Sequence, residues 1–71
     1  MINTELLRKK IEESGYKLTF IAKQLNLSYQ GFLNKLDGKN EFYGSEISFL
    51  SDFLKLSLEE KEEIFFNQKV D

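Results

Sequence analysis

Two carboxamides one helical turn apart, Gln30 and Asn34, are the side chains of this sequence best suited to specific recognition. They lie in the segment LTFIAKQLNLSYQGFLNKLDG, residues 18–38. Asn and Gln can bond adenine in bidentate fashion through its N6 and N7 atoms, which face the major groove of DNA. Tyr29 and Leu33 flank the pair. Tyr29 offers a hydroxyl for a phosphate, a ring for stacking, or simply a cover for the contact with the second helix, and Leu33 an apolar contact either to a thymine methyl group or to the core. Gly31 falls on the same outward side and lets the backbone come close to a partner; Ala would be the more stabilising residue in a first helical turn. Lys17, Thr19, Lys23, Ser28, Lys35, Lys39 and Asn40 surround these positions and can hold phosphates on either side. This is the chemistry of recognition, without bond making. The chain has no His and no Cys, which removes zinc fingers, Cys-His nucleophiles and His-based acid-base catalysis. The acidic run Glu59, Glu60, Glu62 and Glu63 falls in a helical pattern and not in a loop spaced for an oxygen-ligand metal site. The expectation is a protein that is not an enzyme and takes no cofactor and no metal.

Those residues need helices to position them, and the apolar spacing predicts five. The first spans about Thr4 to Ser14, capped by Asn3 or Thr4, stopped at Gly15, with Leu7 and Ile11 inward and Ile2 or Leu6 beside them. The second covers Leu18 to Leu25, with Ile21, Ala22 and Leu25 on one face. The third runs from its cap Ser28 to Leu36, with Phe32 and Leu36 inward and Gly38 just beyond. The fourth starts at Ser45 as cap, with a stripe of Ile47, Leu50 and Leu54 widened by Phe49 and Phe53. The fifth opens with the capping-box pair Ser57 and Glu60 and has Leu58, Ile64, Phe65 and Phe66 on its apolar side. The stretch around Phe42 and Tyr43 is too short for a strand. The phenylalanines at 20, 49, 53, 65 and 66 read as core rather than as stacking platforms for bases.

The second and third helices form a tight two-helix turn. Ala22 is small enough for two steeply crossing helices to approach. Asn26 suits a left-handed backbone position, Leu27 is the turn's buried residue, and Phe32 plugs the third helix against the second. With Phe32 and Leu36 inward, the rotation of about 100° per residue turns Gln30 and Asn34 outward and leaves Tyr29 and Leu33 on the shoulder. The positive charge gathers in the same place. The formal net charge is −2, yet residues 17–40 carry +3 and residues 41–71 carry −5.

At 71 residues the chain fits one domain, 1–71, with the helix-turn-helix at 18–38. A domain of this size buries only roughly 60% of the surface its unfolded chain exposes. No apolar run approaches the roughly 20 residues of a membrane span, and MINTELLRKK lacks the charged-then-apolar order of a secretory signal. A soluble cytoplasmic protein without membrane contact is expected.

The order of elements, the two-helix turn and the phrase NKLDGKNEF resemble the phage Cro and repressor family of helix-turn-helix proteins, the lambda-repressor-like group. The ending LSLEEKEEIFF looks like the short phage-type regulators of low-GC Gram-positive bacteria. The resemblance extends from the first helix to Phe66. It implies an all-α, compact five-helix fold. It also implies a transcriptional repressor, at home in a bacterial nucleoid or a phage-infected host, that reads the major groove with its third helix. Tyr29, Gln30, Leu33 and Asn34 match the positions that read bases in that family. Two departures stand out: Asn26 replaces the usual Gly, and Leu18 replaces a Gln that touches DNA in many members. The expected partners are double-stranded DNA with a near-palindromic operator and a second copy of the chain, joined through some of Phe49, Phe53, Phe65 and Phe66. A twofold dimer would set two recognition helices about one DNA turn, ~34 Å, apart. A competing reading keeps the fold but makes it a protein-interaction module, a phage modulator or antirepressor that binds a repressor protein.

Overall fold

Apolar side chains recur at helical spacing from one end of the chain to the other, and the backbone follows them. The computed structural model describes residues 2–66, which form five helices and, among the described residues, no strand. These are α1 (Thr4–Ser14), α2 (Leu18–Gln24), α3 (Tyr29–Leu36), α4 (Gly44–Phe53) and α5 (Leu58–Phe65). No helix among the described residues is long and apolar enough to cross a membrane.

Short helices need their ends satisfied, because four amides and four carbonyls at each helix lack partners within it. Asn3 Oδ1 accepts from Leu6 N–H at 3.1 Å and opens α1. Ser28 Oγ accepts from Gly31 N–H at 3.0 Å and opens α3. Ser57 and Glu60 exchange hydrogen bonds in both directions at the start of α5, as the capping box predicts. Three of the C-termini share one device. A residue of positive φ follows the helix, and the next amide reaches back to the carbonyl five residues earlier. After α2 this is Asn26 at φ +61°, with Leu27 N–H donating to Ala22 O at 2.9 Å. After α3 it is Gly38 at φ +81°, with Lys39 N–H donating to Asn34 O at 2.9 Å. After α4 it is Lys55 at φ +55°, with Leu56 N–H donating to Ser51 O at 2.9 Å. Asn26 therefore does what its type promised, whereas nothing about a lysine announced Lys55.

Leu7, Ile11, Ile21, Ala22, Phe32, Leu36, Leu50 and Ile64 are buried in one apolar cluster drawn from all five helices, and Phe42 and Phe65 complete it. Leu27 is partly buried against this cluster, in the turn it was assigned to. Phe42 lies outside any helix, yet its ring meets Phe32 edge-on at 6.4 Å and Phe65 at 5.8 Å, centroid to centroid. It is the wedge between α3 and α5. The N-terminal segment is tied to α5 by Asn3 N–H, which donates to Ile64 O at 2.7 Å. Lys10 of α1 and Glu60 of α5 add an ion pair. That contact, chiefly its hydrogen bond, raises the Lys10 pKa and lowers that of Glu60.

The structure corrects four expectations. Helix α4 begins at Gly44, not behind a Ser45 cap, because this earlier start puts Glu46 in the third helical position, where its carboxylate reaches back to Tyr43 N–H at 2.7 Å. Leu58 belongs to no apolar face; it is 71% exposed in the first turn of α5. Phe20 is 44% exposed, and Phe66 is also exposed, so neither is core. Phe42 is core although no periodicity marks it. Replacing Phe42 by Ala should destabilise the fold by about 3 kcal/mol or more, and Phe20→Ala by under about 1 kcal/mol, in urea unfolding of the two variants.

Candidate nucleic-acid interface

Phe32 and Leu36 are fully buried, so the opposite side of α3 must face outward. Tyr29 and Gln30 are exposed there, Asn34 is half-buried, and Leu33 is partly buried against the core. Gln30 Nε2 donates to Asn34 Oδ1 at 3.0 Å. The bond orients two flexible amides relative to one another and leaves Gln30 Oε1 as acceptor and Asn34 Nδ2 as donor. An acceptor and a donor are what an adenine edge or an adjacent pair of base edges requires. Leu33 has a core contact as well as an outward edge, which narrows its reach.

Gly31 has a local reason as well as an outward position. A Cβ at this residue would lie 2.9 Å from Ser28 Oγ, the hydroxyl that caps the helix through Gly31 N–H. Close backbone approach to a partner is therefore not needed to explain the glycine.

Of the phosphate candidates, Lys17, Thr19, Lys23, Ser28, Lys39 and Asn40 are all exposed. Lys17 precedes α2 with no side-chain cap on that helix, and Ser28 keeps a hydroxyl proton to donate while its oxygen accepts from Gly31. Lys39 and Asn40 lie in the turn after α3, beyond Asp37 and Gly38, their amides both donating to Asn34 O, at 2.9 and 3.3 Å. Lys35 does not join them. It is 7% exposed, and its Nζ lies 2.6 Å from Glu46 Oε1 and 4.0 Å from the centre of the Tyr43 ring. The expectation of a phosphate contact fails for Lys35, because pulling its ammonium outward would leave the Glu46 carboxylate buried without its counter-charge. Reasoning from sequence missed Glu46 and Tyr43 as partners. The available signal was a carboxylate two residues after Gly44, at the start of the fourth helical pattern.

The local positive charge survives this correction by a different route. Lys35 is neutralised by Glu46, while Asp37, the one acidic residue of the region, pairs with Arg8 of α1 at 2.7 Å. Among the described residues, Lys17, Lys23 and Lys39 take part in no ion pair, so three uncompensated cations flank the outward face of α3.

A second surface feature lies on α2, the connection before it, and α4. Tyr16, Phe20, Phe53 and Phe49 form a continuous strip of rings. Tyr16 stands 5.6 Å from Phe20 and 4.5 Å from Phe53, and Phe53 stands 5.3 Å from Phe49. Tyr16 and Phe20 are exposed, and Phe49 and Phe53 half-buried. Of the four residues expected at a dimer contact, Phe49 and Phe53 belong to this strip, and Phe66 is exposed apart from it. Phe65 is 6% exposed and packs on Phe42, so its side chain is committed to the core. A cavity of about 460 Å³ opens elsewhere, lined in part by Ile2, Phe42, Ile47 and Phe65, with Asp37 and Glu41 also on its wall.

No family model, curated protein or solved structure matches the chain. The functional reading therefore rests on its own residues and their geometry. For Gly31, that geometry gives a direct test. An exposed Gly→Ala change inside a helix ordinarily stabilises by about 1 kcal/mol, but here it must displace a cap worth about 0.5–2 kcal/mol. Gly31→Ala should accordingly fail to raise the thermal midpoint; a rise of several degrees would show that the cap does not restrict this position.

Proposed function

We propose that this chain is a sequence-specific DNA-binding regulator of the phage Cro and repressor type, with α3 as the helix that enters the major groove. The observation that carries the reading is the outward Gln30–Asn34 pair between three exposed, uncompensated lysines, Lys17, Lys23 and Lys39. Gln30 and Asn34 read bases, with Tyr29 and the outer edge of Leu33 beside them. Lys17, Thr19 and Lys23 hold phosphates on the α2 side, Ser28 at the start of α3, and Lys39 with Asn40 at its far end. The proposed assembly is a twofold dimer on a near-palindromic operator, joined through Phe49 and Phe53. Control then comes from occupying the site.

A second reading, a module that binds a repressor protein instead of DNA, is favoured by the aromatic strip. A strip of four adjoining rings, two of them exposed, is better suited to a protein partner than to phosphate.

Salt separates the two. Three lysines per copy, six in a dimer, imply a loss of DNA affinity of about 10³-fold between about 50 and 200 mM salt, against about 40-fold for a monomer. Affinity for DNA that is absent, or insensitive to salt, would favour the protein partner. Replacing Gln30 and Asn34 together by Ala should remove discrimination between a selected duplex and random DNA, a term of about 1–3 kcal/mol for each bidentate contact. Retained selectivity would show that the readers lie elsewhere. In sedimentation, the chain should run as a dimer that Phe49→Ala with Phe53→Ala converts to a monomer; a wild-type monomer both free and on DNA contradicts the assembly.

A further inference from the structure

We infer that Lys35 is a positioning residue. Held by Glu46, it clamps the end of α3 to the start of α4, so that the connection between them presents Lys39 and Asn40 in register with Gln30 and Asn34. The inference rests on the DNA-binding reading above and assigns Lys35 and Glu46 a part in it.

One carboxylate oxygen makes the clamp. Glu46 Oε1 accepts from Lys35 Nζ at 2.6 Å and from Tyr43 N–H at 2.7 Å, and the Tyr43 ring lies over the same ammonium at 4.0 Å. The last turn of α3 and the residue that opens α4 are thereby fixed to a single atom. Residues 37–43 span the gap between them. Their near end is closed by Gly38 N–H on Lys35 O at 3.2 Å and by the amides of Lys39 and Asn40 on Asn34 O. The far end is closed by Tyr43, with Phe42 anchored in the core beside it. Asn34 thus faces outward with its side chain while its carbonyl holds the backbone of two phosphate candidates. The reader and the flanking contacts form one hydrogen-bonded unit, and the ion pair keeps its other side in place.

A buried ion pair is seldom a net source of stability, since desolvating both charges offsets their attraction. Its geometric effect here follows from the same cost, because neither partner can move without stranding the other. Lys35 and Glu46 are also equal and opposite, so the pair orders a surface built for polyanions without changing its net charge.

The test compares wild type, Glu46→Gln, Lys35→Met, Lys35→Arg and Lys39→Ala, each binding a random-sequence 30-base-pair duplex over a range of salt. Amide hydrogen exchange is followed in the free proteins. Plain electrostatics predicts that Glu46→Gln, which removes a negative charge and frees a lysine, tightens binding. A positioning role predicts the reverse. Glu46→Gln and Lys35→Met both weaken binding by about tenfold, and both lower the salt slope by about 1 through loss of the Lys39 contact. Lys39→Ala then adds nothing in either background. Exchange at the Lys39 and Asn40 amides accelerates in both variants, and Lys35→Arg keeps affinity near wild type. Glu46→Gln retains an acceptor for Tyr43 N–H, so it carries the test if Lys35→Met does not fold. Tighter binding by Glu46→Gln, additive losses with Lys39→Ala, or unchanged affinity in both variants would overturn the inference while leaving DNA binding intact. A wild type that binds no duplex at low salt would overturn the DNA reading itself, before any variant is compared, and the positioning role with it.

Discussion

Phe32 and Leu36 have to be buried completely, and they lie one turn apart on a helix of only eight residues. That constraint orders most of what surrounds it. A short helix with two fixed inward positions has a fixed outer face, so Gln30 and Asn34 can point only away from the core. It also needs its ends closed from outside, because its own hydrogen bonds satisfy few of its amides and carbonyls. Ser28 closes one end and Gly38 the other, and each of these residues borders a segment with a phosphate candidate. The inward side in turn needs a partner, and Phe42 supplies it, packing on Phe32 and passing the contact to Phe65 of α5. One apolar requirement thus connects the third helix to the fifth and sets the path of the chain between α3 and α4.

The charges follow the same path. A ledger by sequence gives residues 17–40 a surplus of three, but the structure redistributes it. Lys35 turns inward to Glu46, and Arg8 arrives from α1 to meet Asp37. The surplus at the surface remains three, now held by Lys17, Lys23 and Lys39. The exposed Arg8–Asp37 pair contributes little to stability, since solvent screens it. Its consequence is electrostatic: it masks a carboxylate at the end of the outward helix.

The fold was legible in the sequence wherever local chemistry and periodicity agreed. Ser28, Asn26, Gly38 and the Ser57–Glu60 pair each mark a helix end by what their side chains or backbones can do, and each marks it correctly. Leu7, Ile11, Ile21, Phe32, Leu36 and Leu50 fall on helical stripes, and all six are buried. The early start of α4 is a local failure, set by Glu46 reaching back to Tyr43 N–H, and the others depend on tertiary contacts. Phe42 has no periodic neighbours and is core only because α3 and α5 leave a gap. Phe20 sits at helical spacing, but α2 turns its ring outward, where Tyr16 joins it to the half-buried Phe53 and Phe49 in a strip. Lys35 looks like any surface lysine until α4 brings Glu46 beneath it. Lys55 takes a left-handed conformation that its type does not suggest, because α4 must end before Leu56 can turn inward. Of the candidate site, the outward amides followed from the burial of their neighbours, whereas the fate of each lysine depended on partners distant in the chain.

The central proposal is that the outward face of α3, with its flanking lysines, is the surface that meets DNA. Backbone amide chemical shifts of the full chain, followed as a short mixed-sequence duplex is added at low salt, report that surface most directly. The proposal predicts perturbations concentrated at residues 17–19, 23, 28–34 and 38–40, and, in a chain already dimeric before DNA is added, a Tyr16–Phe20–Phe53–Phe49 strip perturbed only through Tyr16 and Phe20 at its edge. Perturbations centred on Phe49 and Phe53 with none on the outward face of α3, or none at all at a duplex concentration that should saturate the site, would contradict it.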